Sequence, residues 1–163
     1  MKVVLCWHMH QPEYRDLRSG EYQLPWTYLH AMKDYVDMAA HLEAHPQACA
    51  VVNFAPVLLD QIDDYCVQIS DYFANGTALR DPLLATLVCD EFAQSAEKKL
   101  ALWKQLLRVN RKRVIKRFPA YLRLANMFEW LLDNPDATIY CSDQFTIDLS
   151  VWYHLGWIAE TLR

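Results

Sequence analysis

Two short apolar runs limit what this chain can fold into. Val3-Val4-Leu5-Cys6-Trp7 and residues 48–54 (ACAVVNF) are each long enough for one buried strand and far too short for a membrane span. The stretches between and after them recur at helical spacing instead. Both runs end in polar groups. The first closes on Trp7, His8, Met9, His10 and Gln11, then meets Pro12, which stops regular pairing. The second closes on Asn53-Phe54-Ala55-Pro56. Polar and aromatic side chains at the carboxyl ends of buried strands are the arrangement from which α/β active sites are built.

The first connection opens with a polar loop, residues 13–23. A helix then starts at Leu24-Pro25-Trp26, with Pro25 suited to an early position. Leu29, Met32, Val36 and Ala39 or Ala40 repeat at helical spacing to Leu42, and Pro46 closes the element. After the second strand, Leu58, Leu59, Ile62, Tyr65, Cys66 and Ile69 predict another helix, with Asp60, Asp63 and Asp64 facing out. Strand, helix, strand, helix implies parallel pairing. Beyond Asn75-Gly76 the pattern stays helical. Leu100, Trp103, Leu107 and Val114 mark one helix, and Pro119 opens another along Tyr121, Leu124, Phe128 and Leu131. Ile139-Tyr140-Cys141 reads as a short apolar link. Asp143 is placed to cap a last helix through Phe145, Leu149, Trp152 and Leu155 or Gly156. Two strands cannot close a sheet alone, because edges and a face stay open. The imbalance favours a piece of a longer polypeptide over a small helical array around a two-stranded core.

A length of 163 residues, 53% hydrophobic, suffices for one domain with a real core. The formal charge of -4 gives no overall attraction to nucleic acid. The basic stretch Arg108 to Arg117 (RVNRKRVIKR) reads as the solvated face of a helix, or as a surface for an absent part of the protein, before it reads as a phosphate contact. Six Trp and nine Tyr combine flat apolar faces with polar handles, which suits a sugar groove as well as a core. Five cysteines lack the C-x-x-C spacing of redox or zinc sites, and Cys6, Cys49 and Cys66 fall on apolar faces. A reducing compartment follows. Met1-Lys2 leads straight into strand-like residues, without room for a signal peptide's apolar core, so the expected location is the cytoplasm, with no membrane partner.

His8 and His10 alternate and therefore share one side of an extended strand. Such a pair can begin a metal site, and a metal-dependent hydrolase is one alternative. The simpler alternative makes His8 a packed histidine and His10 a hydrogen-bond donor. Completing a metal site takes further ligands, and His30, His41, His45 and His154 are scattered over helices. Glycosidic cleavage needs paired carboxylates. Asp60, Asp63, Asp64, Asp90, Glu91 and Asp148 are available, yet none follows a buried strand beside a polar cluster. No catalytic carboxylate is assigned. Neither a G-x-S-x-G nucleophile turn nor a glycine-rich phosphate loop is present.

Four separated blocks carry a resemblance: WHMHQPEY, LPWTYLHAMKDYVDM, VVNFAPVLLDQIDDY and QFTIDLSVWYHLGWI. In this order they resemble the amino-terminal part of glycoside hydrolase family 57, which holds α-amylase-like enzymes, 4-α-glucanotransferases, amylopullulanases and branching enzymes. The resemblance implies an α/β fold. Residues 1–163 would be the amino-terminal segment of a catalytic domain, an incomplete (β/α)7 barrel, here with two parallel strands and a helix-rich insertion. It implies retaining chemistry on α-glucans without a cofactor or catalytic metal. His10 corresponds to the family histidine near the sugar at the cleavage point. His8, Gln11 and Trp7 fit the same pocket wall, and Trp26 and Asn53 are further pocket-side candidates. The family's glutamate nucleophile and aspartate acid/base belong to later strands, and no position here matches either. The partners implied are an α-glucan or maltooligosaccharide and the carboxy-terminal remainder of the same polypeptide. A non-catalytic carbohydrate-binding or regulatory remnant is the other alternative.

Overall fold

The computed structural model describes residues 3–89, 92 and 95–163. Two parallel strands form, β1 (Leu5–Met9) and β2 (Ala50–Phe54), in the register Leu5↔Ala50 through Met9↔Phe54. Between them lie α1 (Trp26–His30), a π-helical turn (Ala31–Tyr35) and α2 (Val36–Ala44). After β2 come α3 (Pro56–Asn75), α4 (Pro82–Ala85), α5 (Ala96–Leu106), α6 (Pro119–Asp133) and α7 (Asp143–Trp157). The chain divides into two compact units, Met1–Ala85 with Trp157–Arg163 and Thr86–Gly156.

In the first unit the strands alternate as extended backbone must. Trp7, Met9, Ala50 and Val52 are half-buried, and the Phe54 ring meets Tyr35 edge-on at 6.5 Å. Cys6, His8, Val51 and Asn53 share the other face and are exposed. The runs expected to be buried strands are therefore open on one side. Val4 is 77% exposed, Leu5 48% and Val51 54%. Among the described residues no further strand covers the edges of this parallel pair.

Helix α3 starts with Pro56 in its first turn and ends on Gly76, whose φ of +69° suits a glycine cap. Its buried stripe is Leu58, Gln61, Tyr65 and Gln68. Leu59 and Cys66, expected inside, are exposed, as are Cys6 and Cys49. Two glutamines occupy the inward positions because each has several fixed partners, a signal that apolar counting misses. Asp64, expected to face solvent, accepts from the Tyr22 hydroxyl at 2.9 Å and from Arg80.

In the second unit Trp103 and Tyr121 are fully buried. Trp103 donates Nε1–H to Thr146 Oγ1 at 2.8 Å and packs edge-on with Phe145 at 4.7 Å. The helix expected through Val114 stops at Leu106. Leu107 to Val114 form turns, followed by a 3₁₀ turn, Ile115–Arg117. The basic stretch is thus no helix face, and its Arg111 donates to Glu129 Oε1 and to Asn126 Oδ1, each at 2.6 Å. Ile139 and Tyr140, read as a link, end a 3₁₀ helix (Pro135–Tyr140) and are largely exposed. Asp143 is the first residue of α7 rather than its cap. Asp90 and Glu91 lie outside the described residues.

Candidate functional site

The polar ends of β1 and β2 are adjacent because the strands are parallel and in register. His8 and Asn53 are direct partners, and His8 Nδ1 donates to Asn53 Oδ1 at 2.7 Å. His10, two residues on, stacks its ring on His8 with centroids 5.8 Å apart and planes 13° apart. These three expected site residues come together on the open face. Among the described residues no group of three or more His, Cys, Asp or Glu is placed to hold a metal ion.

Gln11 leaves the strand and bonds sideways. Its Nε2 donates to the Tyr35 hydroxyl at 3.3 Å, and its Oε1 accepts from the Tyr14 hydroxyl at 2.8 Å. Burial first, and then the nearby Tyr35, push the Tyr14 phenol above its ordinary pKa, so it remains a donor at neutral pH. Trp7 alternates to the opposite face, opposite Val52. Trp26 opens α1 and stands beside His30 and Trp157, with ring centroids 6.3 and 6.0 Å away.

The residue that fixes this geometry is one the sequence did not single out. Gln61 is fully buried. Its Oε1 accepts from the Tyr14 amide at 3.1 Å and the Thr27 hydroxyl at 3.2 Å. Its Nε2 donates to the carbonyls of Pro12 at 2.9 Å and Val57 at 3.1 Å. One amide thereby ties the segment after β1 to both α1 and α3. A lone glutamine spaced with Leu58 and Tyr65 on one helix face was the available signal. Arg15 then clamps the loop from outside, donating to both Glu13 oxygens at 2.8 and 2.7 Å and to Asp60. The Arg15 bond holds the Glu13 carboxyl below its ordinary range, against a smaller opposing effect of burial.

The sequence profile of glycosyl hydrolase family 57 matches residues 4–156. The chain belongs to that family. No curated protein and no solved structure matches it. Family 57 membership relates the chain to glycoside hydrolases and glucanotransferases, and to carbohydrate as the substrate class. The matched stretch contains every residue of the strand-end cluster, from His8 to Asn53. No helix among the described residues is long and apolar enough to cross a membrane.

Proposed function

We propose that this chain forms the amino-terminal part of a retaining family 57 enzyme, a glycoside hydrolase or glucanotransferase acting on α-glucans. His10, His8, Gln11 and Asn53 would line the sugar site, with Trp7 supporting the strand from its other face and Trp26, beside His30 and Trp157, a further candidate. The observation carrying this reading is the His8–Asn53 pair with His10 stacked on it, at the carboxyl ends of two parallel strands. Substrate sites of (β/α) barrels sit at that end. Because one face of the pair packs within the unit while the polar face is open, the pair has the form of a barrel interior awaiting further strands.

In this reading residues 1–163 are one segment of a catalytic domain. Two carboxylates from the remainder of the polypeptide do the bond-breaking. One attacks the anomeric carbon as the glycosidic C–O bond breaks. The other protonates the leaving oxygen and later deprotonates water or an acceptor sugar hydroxyl. The histidines hold hydroxyls of the bound glucose, and any bond that tightens as the ring flattens speeds the reaction. The exposed thiols of Cys6, Cys49 and Cys66 support a reducing compartment, hence the cytoplasm.

The test is activity of the intact polypeptide on maltoheptaose, with products resolved by chromatography and anomeric configuration followed by proton NMR. Retention of configuration, with kcat/KM at least tenfold lower in His10→Ala, is expected. Full activity in His10→Ala would remove the strand-end cluster from the site, and inversion would exclude the double-displacement mechanism.

A further inference from the structure

Helix α1 widens into the π turn directly after His30, and aromatic rings from three parts of the chain gather at this junction. His30 Nδ1 donates to Asp34 Oδ2 at 2.5 Å. Three aromatic rings surround the imidazole. Trp157 meets it edge-on at 5.4 Å, and the tilted rings of Trp26 and Tyr35 lie 6.3 and 6.4 Å away. Trp157 is held in place from the next residues, because the Ala159 amide donates to the Met32 carbonyl inside the π turn at 2.9 Å. The hydroxyl of Tyr35 accepts from Gln11, joining this cluster to the segment that follows His10.

A bare i,i+4 pair on a helix surface stabilises only weakly and needs no aromatic surround. The His30 pair differs in two ways. Its side chain is 30% exposed, reachable yet walled. It also opens a π turn, a feature that is rare and concentrates at functional sites. Since Asp34 engages Nδ1, Nε2 is the nitrogen left to meet a ligand. An imidazole nitrogen among indole faces matches a pyranose, which offers an apolar C–H face and hydroxyls around its rim.

We propose that His30, oriented by Asp34, binds a hydroxyl of an α-glucan through Nε2, with Trp26 supplying the ring face against the same sugar. This rests on the reading of the strand-end cluster as the glucan site and extends that site along α1.

Titration of the 15N-labelled intact polypeptide with maltoheptaose tests it. The 15N resonance of His30 Nε2 is expected to move with saturation, a response that a merely structural pair would not give. His30→Ala should weaken binding about tenfold, the loss of one good hydrogen bond. His30→Gln, which keeps a polar group at the position, should recover part of it. Maltoheptaose lacking single hydroxyls should include one form that His30→Ala binds no worse than the unaltered protein does. If His10→Ala weakens binding while the His30 resonance and both His30 variants stay unchanged, the inference fails and the strand-end reading stands. If only the His30 variants lose affinity, His30 is the contact and the strand-end reading falls. Absence of maltoheptaose binding by the unaltered polypeptide overturns both.

Discussion

His8 and Asn53 face each other as a register pair across the parallel strands, with Nδ1 donating to the amide oxygen at 2.7 Å. Asn53 Oδ1 can only accept, so the imidazole proton is placed on Nδ1. In the neutral ring Nε2 then keeps its lone pair, ready to accept from a sugar hydroxyl.

That arrangement predicts a measurable tautomer. Two-bond 1H–15N correlation spectra at neutral pH should show His8 protonated at Nδ1. Asn53→Ala should shift the ring toward the Nε2–H form that free histidine favours. A dominant Nε2–H tautomer in the unaltered protein would contradict the bond. Because both side chains are exposed, fold stability should change by no more than about 0.5 kcal/mol.

Gln61 provides a sharper test of what holds the site in place. Gln61→Leu keeps the side-chain volume while removing four hydrogen bonds, and it leaves the Pro12 carbonyl and the Tyr14 amide with their partner gone. Water can reach those two part-buried groups, but the Thr27 hydroxyl is fully buried, and a buried polar group left unsatisfied costs about 1–3 kcal/mol. The urea midpoint should fall by the equivalent of about 2–4 kcal/mol. Glucan affinity should fall with it even in protein that remains folded, because residues 11–14 lose their anchor. An unchanged midpoint would mean that the loop is held otherwise.

How much of this was legible in the sequence depended on the kind of signal. The strands, their parallel order and the helix starts beside Pro25 and at Pro119 followed from apolar runs and proline positions, which are local. Parallel order brings the polar ends of the two runs to the same edge, but the pairing of His8 with Asn53 depends on the register, which the sequence does not specify. What could not be read was the inside of α3. Gln61 and Gln68 look polar in the chain and become interior only because distant loops supply partners for them. The π turn was equally hidden. Its extra width suits the i,i+5 contact of His30 with Tyr35, while the repeat of Leu29, Met32 and Val36 reads as ordinary helix. The helix expected across Val114 failed because Leu107 and Val114, seven apart, mimic the helical period through a turn.

Acid should loosen one particular contact of the first unit. Desolvation acts to raise the Asp37 carboxyl. Bonds from the Glu160 and Thr161 amides at 3.2 Å, the Thr161 hydroxyl at 3.0 Å and the charge of Lys33 outweigh it and hold the group below its ordinary value. A carboxyl with a lowered folded pKa contributes stability above its unfolded pKa and loses it as pH falls through the folded one. Hydrogen exchange at Glu160 and Thr161, corrected for intrinsic rates, should therefore accelerate as pH drops from about 4 toward 2. Asp37→Asn should show the faster exchange already at pH 7. Equal protection at all these pH values would show that Asp37 does not hold the turn.

Gly156 should resist a substitution that helices normally welcome. Alanine in place of glycine inside a helix is worth roughly 0.5–1 kcal/mol in favour of folding. Here a methyl carbon built on Gly156 would sit 2.7 Å from Val114 Cγ1. Valine is stiff at its branch point and has few rotamers to retreat into. Overpacking of this kind typically costs about 1–3 kcal/mol, which exceeds the propensity gain. Gly156→Ala should thus lower the urea midpoint. Combining it with Val114→Ala, which removes the clashing methyl, should restore more stability than the sum of the two single changes allows, a coupling of about 1 kcal/mol or more. Strict additivity would place the cost of Gly156→Ala elsewhere than at Val114.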